Sequence, residues 1–221
     1  VIMLNFGWRG MFILIGLPGL VLAVAWFVLY RDRKDVLLEA SEAAYLDSSA
    51  ADPDAPGQGL SISLAGWARL FRLRTIWGMM IGFGGVNYTA WLYISWMPGY
   101  FEAGRHVSIA ATGKIATIPF LCGGLGMFLS GWIADRMVRA GMRPPKVHKT
   151  LLVTGMTCSA LCTFSLIHVP GLPGAVAVVS AALFFIYLAG NAGWGLVHAM
   201  APASMVASVA AIQNFGSFIC A

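Results

Sequence analysis

The stretch IATIPFLCGGLGMFLSGWIADRMVRAG, residues 115–141, decides the fold. Its first 20 residues, Ile115 to Ala134, carry no charge. That is the length an α-helix needs to cross the hydrocarbon core of a bilayer. The run ends in the segment Gly131 to Gly141, which holds one carboxylate, Asp135, and two guanidiniums, Arg136 and Arg139. Only two of the nine acidic residues lie outside the loop from Arg31 to Leu60, and Asp135 is one of them. A charge cluster at the mouth of a membrane helix is either an anchor or a moving part.

Working outward, the same pattern repeats. Charge-free runs extend from Gly10 to Tyr30 and from Thr75 to Phe101, and no Asp, Glu, Lys or Arg occurs from Thr150 to Ala221. Proline cannot continue a helical hydrogen-bond ladder, and clustered Pro and Gly mark turns. Pro170-Gly171-Leu172-Pro173-Gly174 and His198-Ala199-Met200-Ala201-Pro202 therefore divide this last run into three spans: about Thr150 to Val169, Ala175 to Val197 and Ala203 to Ala221. Six spans are expected. The runs are continuously apolar, whereas barrel strands alternate over about 10 residues. Composition agrees: 59% of residues are hydrophobic and 10% charged, against about 25% charged in soluble domains, with a mean hydropathy of +0.78. The fold class is an all-α membrane protein.

Basic residues give the orientation. Eleven of the 14 Lys and Arg fall on one side of the six alternating spans and three on the other. The rich side is cytoplasmic by the positive-inside rule, which places the central loop in the cytoplasm. The net charge of +5 thus reports topology, and no nucleic-acid partner is expected. Cys122, Cys158, Cys162 and Cys220 all fall inside spans, where cysteine behaves as a small hydrophobe. No further ligands lie near them in sequence, so neither metal nor cofactor is expected. The glycine-rich stretches Gly82 to Gly85 and Gly123 to Gly126 lie in apolar spans, where glycine permits close helix packing, as Gly126-x-x-x-Ser130 does. No Ser/His/Asp, Cys/His or paired-carboxylate arrangement is discernible, so no enzyme is expected.

The polar stretch Arg31 to Arg74 divides the chain into one span (1–30), a linker (31–74) and five spans (75–221). Within the linker, Asp35 to Leu46 has helix-forming composition and Asp47 to Gly59 reads as flexible. Leu64, Trp67 and Phe71 then fall on one helical face, which suits either a helix lying on the membrane surface or a simple flank of the next span. The organisation resembles the tail of one bundle, a linker, and most of a second. The chain opens without a charged leader and closes inside an apolar run, so it is expected to be a fragment.

Several segments together resemble the major facilitator superfamily, in its anion:cation symporter branch. Gly7-Trp8-Arg9 with Phe12 resembles the entry to the family's sixth helix. Trp77, Asn87-Tyr88 and Trp96-Met97-Pro98-Gly99-Tyr100-Phe101 resemble its seventh, with Met97 where Leu is usual. Gly131, Asp135, Arg136 and Arg139 match the loop motif Gly-x-x-x-Asp-Arg/Lys-x-x-Arg/Lys in its second-half copy. Asn191 to Trp194, Ala201-Pro202 and Gln213-Asn214 with Gly216 resemble helices ten and eleven. The resemblance implies helices six to eleven of twelve, with a first bundle of the same chain as partner. It also implies a substrate site at the midplane and rocking for alternating access.

Polar groups inside spans are candidate site residues, because hydrocarbon leaves them unsatisfied unless they face protein or a cavity. Asn87, Tyr88, Trp91 and Ser95 sit close together on one helix. Asn191, Trp194, Gly195 and His198 share a face, as do Ala210, Asn214, Ser217 and Ala221. Substrate contact is expected from Asn87, Tyr88, Trp91, Asn191, Trp194 and Asn214; the alternative is that they bond helix to helix. Lys114, the only charge well inside a helix, either snorkels outward, toward Glu102, or draws in an anion. Gly131, Asp135, Arg136 and Arg139 form a gate latch or a plain anchor. No Asp or Glu lies deep in a span, so proton-carrying acids are expected in the first bundle. The resemblance implies proton-coupled uptake of a small organic anion, a sugar acid of the galactonate, glucarate or hexuronate kind, across a bacterial inner membrane. The alternatives are a carrier of aromatic or dicarboxylic acids, an exporter, or a non-transporting receptor.

Overall fold

The computed structural model describes residues 2–30, 68–202 and 205–220. The helix-forming stretch Asp35 to Leu46, the linker Asp47 to Gly59 and the start of the surface-helix pattern lie outside the described residues. Among the described residues all regular structure is helical. The chain divides into two units, Val1–Gln58 and Gly59–Ala221.

In the first unit, helix α1 runs Ile2–Leu29, with a break at Gly7 (φ 67°, ψ 176°) that a residue bearing a Cβ rarely adopts. Its stretch Phe6–Leu29 is long and apolar enough to cross a membrane. Aromatic pairs mark its two ends: Trp8 edge-on to Phe12 with Arg9 over the Trp8 ring at 5.1 Å, and Trp26 stacked on Tyr30 at 5.0 Å. Such amphipathic rings suit the two bilayer interfaces.

The second unit contains α2 (Arg74–Gly99), a π-helical turn (Tyr100–Gly104), α3 (Ile109–Ile115), α4 (Thr117–Arg139), α5 (Pro144–Ser165), α6 (Leu172–Met200) and α7 (Val206–Cys220). Helix α6 is the spine. It packs against α4 and α5 along much of its length, while α2 packs on α7 and more lightly on α6. Its inward face is built from small and branched side chains, with Ala175, Val179, Ala182, Leu183, Ile186, Ala189, Ala192 and Val197 all buried.

Close approach along the α4–α6 seam depends on Gly126, where a Cβ would collide with the Phe184 carbonyl oxygen. One turn further, Ser130 Oγ donates to Leu188 O at 2.9 Å. The spacing Gly126-x-x-x-Ser130 therefore works as the sequence suggests: a small residue admits the partner backbone and a hydroxyl bonds it. Near the other end of the bundle, Tyr93 Oη and Thr163 Oγ1 share a hydrogen bond of 2.8 Å between α2 and α5. There too, Arg105 holds the turn after α2 against the turn after α5 through Tyr100 Oη and Val169 O, both at 2.9 Å.

The breaks fall where proline and glycine predict them: Gly171 (φ 73°) precedes α6, and α6 ends at Ala201 before Pro202. Three boundaries differ from the charge-free runs. Ser108 caps the third span by accepting from the Ala111 amide, so its helical turns begin six residues before Ile115 and include Lys114. That span is then continuous in length from Ile109 to Arg139, with a joint at Ala116. Asp135, Arg136 and Arg139 accordingly stand on the last turns of α4 rather than beyond its mouth. The helix stops at Gly141 (φ 91°), where the Met142 amide donates back to Met137 O, a glycine C-terminal motif. Helix α5 starts at Pro144, with Lys146, His148 and Lys149 on its first two turns. Charged residues at an interface do not interrupt helical hydrogen bonding, so charge-free runs underestimate the helices. Among the described residues, four segments suffice by length and apolarity to cross a membrane: Phe6–Leu29, Ile109–Arg139, Pro144–His168 and Leu172–Met200. Helix α2 has the length at 26 residues but carries polar and glycine residues, and α7 is shorter at 15.

Candidate functional site

The polar residues expected to serve a solute divide into those the fold brings together and those it separates. On α2, Tyr88 and Trp91 are about half exposed. With Leu92, Ser95, Trp96 and Phe218 they line an open cavity of about 380 Å³. The spacing 88, 91, 95 aligns these side chains on one helical face, and Phe218 of α7 closes the side, its ring 6.5 Å from Trp91. Asn87, half-buried, stands one turn before Trp91 and donates Nδ2 to Ser217 Oγ at 2.6 Å. Ser217, fully buried, donates in turn to the Asn214 carbonyl oxygen at 2.7 Å. Asn87 and Asn214 are therefore joined through one hydroxyl beside the aromatic wall. Asn87 is both glue and candidate contact, since only its NH2 faces Ser217.

The α6 candidates are placed differently. The Asn191 amide nitrogen stands over Gly131 of α4, 3.9 Å from where a Cβ at that position would lie. Trp194, about one-third exposed, sets its ring edge-on to Phe83 at 5.4 Å. Its carbonyl oxygen lies 3.1 Å from His198 Nδ1. Neither lines the Tyr88–Phe218 cavity. Lys114 is exposed on the last turn of α3, also outside that lining. Among the described residues it forms no ion pair with Glu102.

At the basic end of α4, Gly131 is half-buried while Asp135, Arg136 and Arg139 are exposed. Arg136 lays its guanidinium over the Trp132 ring at 4.7 Å, and among the described residues Asp135 forms no ion pair with it. Successive helical positions point about 100° apart, so neighbours do not face each other. Across the helix junction, His148 of α5 packs its ring against Gly195 of α6. Its Nδ1 is enclosed without a hydrogen-bond partner, and Asp135 and His198 are the titratable groups near enough to act on it electrostatically. Ala134, Val147 and Ala192, each adjacent to or one turn from these residues, form a shared buried cluster across α4, α5 and α6.

Sequence reasoning gave no separate role to three residues that the fold makes important. The Ser217 hydroxyl was legible only as a small residue near Asn214, although the three-residue spacing in Asn214-x-x-Ser217 permits the back-bond observed. Gln213, fully buried, donates to Gly193 O at 3.2 Å and pins α7 to α6. His148 gave no signal beyond its position in a basic loop. Cys122, Cys158 and Cys162 are free thiols, half-buried in α4 and α5.

Comparison with known proteins bears on the whole chain. The family model described as Major Facilitator Superfamily matches residues 1–221. The "Probable L-galactonate transporter" of Escherichia coli K12 is 46% identical over 219 residues, covering 99% of this chain and 48% of that protein. The "D-galactonate transporter" of Escherichia coli O6:H1 is 27% identical, covering 94% of this chain and 49% of that protein. The "Hexuronate transporter" of Bacillus subtilis is 25% identical, covering 97% and 49%. The chain spans about half the length of the curated relatives it matches. With apolar helices long enough to cross a bilayer several times, this integral, multi-pass membrane protein belongs to the Major Facilitator Superfamily.

Proposed function

We propose that the chain forms part of a secondary transporter that takes up sugar acids with protons by alternating access. The observation that carries this reading is the 46% identity, over 99% of the chain, to a protein named as a probable L-galactonate transporter. The site chemistry supports it. Aromatic faces at Tyr88, Trp91 and Phe218 suit the C–H faces of a sugar acid, and carboxamides at Asn87 and Asn214 suit its hydroxyls and carboxylate. Trp194 and Asn191, outside this lining on α6, are further contacts for the solute, and Lys114 draws the anion in from the outer mouth. The rest of the cavity comes from a first bundle of the same longer chain, which also holds the acids that carry protons. Gly131, Asp135, Arg136 and Arg139 act as a latch on the cytoplasmic side, where the basic loops also lie. The membrane is the bacterial inner membrane.

The test is uptake of labelled L-galactonate by the full-length protein in proteoliposomes under an imposed proton gradient. Accumulation that collapses on adding an uncoupler supports the proposal. Uptake of aromatic or dicarboxylic acids in its place reassigns the substrate, gradient-driven efflux reassigns the direction, and binding without flux makes the protein a receptor.

A further inference from the structure

We infer that Ser217 is a specificity-determining positioning residue, which holds the Asn87 carboxamide so that its oxygen is the end presented to a solute. The inference rests on the transport reading above and adds to it the chemical group that this position reads.

The argument follows from counting hydrogens. A serine hydroxyl has one hydrogen to donate and lone pairs to accept with. Ser217 donates that hydrogen to the Asn214 carbonyl oxygen, three residues back on α7, at 2.7 Å. The Asn87 atom lying 2.6 Å from Ser217 Oγ must therefore be a donor, which makes it the amide nitrogen. Ser217 is fully buried, so water has no access to substitute for either bond. The carboxamide is thus fixed in one of its two orientations, with Oδ1 directed away from Ser217. Oδ1 accepts no hydrogen bond from the described residues and is not among the enclosed polar atoms, so it remains accessible.

An accessible acceptor beside an aromatic wall reads donors. Asn87 and Ser217 are not themselves in the cavity lining; Asn87 stands one helical turn from the lining residue Trp91, and so on the same face, and Ser217 immediately precedes the lining residue Phe218. A polyhydroxy acid offers hydroxyl donors to Oδ1 while its C–H face lies on Trp91 or Tyr88. A carboxylic acid without hydroxyls leaves Oδ1 unpaired once water is displaced, and a polar group left unpaired in this way is the larger part of discrimination. Without Ser217 the carboxamide can flip, presenting its NH2 as readily as its oxygen, and the preference is lost.

The experiment uses the full-length transporter with L-galactonate and its monodeoxy analogues, read both as uptake kinetics and as tryptophan-fluorescence titration of detergent-purified protein. Wild type should prefer galactonate over the one analogue that lacks the hydroxyl read by Asn87. Ser217→Ala should reduce that preference about five- to tenfold, the scale of one hydrogen bond, through KM with Vmax little changed. Ser217→Thr, which retains the hydroxyl, should keep the preference. In an Asn87→Ala background Ser217→Ala should have no further effect, and this arm stands even where the threonine variant fails to fold. An unshifted preference in Ser217→Ala, an effect on Vmax alone, or additivity with Asn87→Ala would overturn the role of Ser217. Wild type that neither binds nor carries any polyhydroxy acid would overturn the transport reading itself.

Discussion

Replacing Gly126 with alanine should part α4 from α6. The obstacle to the new methyl is the Phe184 carbonyl oxygen, a backbone atom that cannot rotate away. A carbon needs about 3.3 Å from a carbonyl oxygen, so the helices must separate by roughly 1 Å. Ser130 lies one turn away, and its bond to Leu188 O, now 2.9 Å, would stretch beyond hydrogen-bonding range. Interhelical hydrogen bonds in membranes contribute about 0.6 to 1.7 kcal/mol. A gap of about 0.5–1 Å also forfeits a quarter to a half of the dispersion attraction between facing atoms. The combined loss is about 2 kcal/mol, within the usual cost of overpacking. Gly124 is the control, because a Cβ there meets nothing within 4 Å. Gly124→Ala should be neutral or slightly stabilising, since alanine favours the helix over glycine by about 1 kcal/mol. The assay is thermal unfolding of detergent-solubilised full-length protein, followed by loss of the monodisperse size-exclusion peak. Gly126→Ala melting with wild type, or Gly124→Ala falling as far, would refute the packing argument.

Three further outcomes are expected. Gly195→Ala forces aside the His148 ring, a side chain with some freedom, so it should cost about 1 kcal/mol and should add nothing once His148→Ala has made room; additive losses in melting temperature would place the strain elsewhere. Asp135→Asn in the full-length transporter should lower Vmax by roughly fivefold, the rate equivalent of about 1 kcal/mol, with KM unchanged, whereas unaltered flux would leave the cluster as an anchor only. Lys114→Ala should weaken uptake by raising KM, and uptake equal to wild type would remove this residue from the substrate's path.

The helices themselves were legible because hydrocarbon imposes one requirement on every backbone group that crosses it. Pro170, Gly171 and Pro202 placed the breaks in the long uncharged run, and the breaks fell there. The ends of helices were less legible, for a local reason. What stops α4 is not Asp135 or Arg139 but the left-handed backbone at Gly141, and what starts the third span is the Ser108 cap. Both are single-residue events outside the apolar pattern. That α4 meets another helix closely was readable from Gly126 and Ser130, because small residues at one-turn spacing have few other uses in a span; that the partner is α6 was not. The pairing of α2 with α7 was not, since Asn87 and Ser217 are 130 positions apart and nothing local distinguishes a bonded amide from an open one.

That last distinction sorts the polar groups of the bundle by what they can still do. Ser130, Gln213, Tyr93 and Thr163 have their side-chain groups engaged by a neighbouring helix, and a solute could bind them only by breaking a bond that holds the bundle. Tyr88 and Trp91 are exposed on the cavity and can bind without such a cost. Asn87 belongs to both classes: its nitrogen is engaged and its oxygen accessible. A residue of this kind couples occupancy to packing, because a solute pulling on the oxygen acts on the same rigid plane that bonds Ser217. Under the alternating access proposed above, a contact able to report filling to a helix pair is worth more than one that only adds affinity, since differential interaction with two states is what shifts a conformational equilibrium. The bond between Asn87 and Ser217 is where such coupling would enter α7.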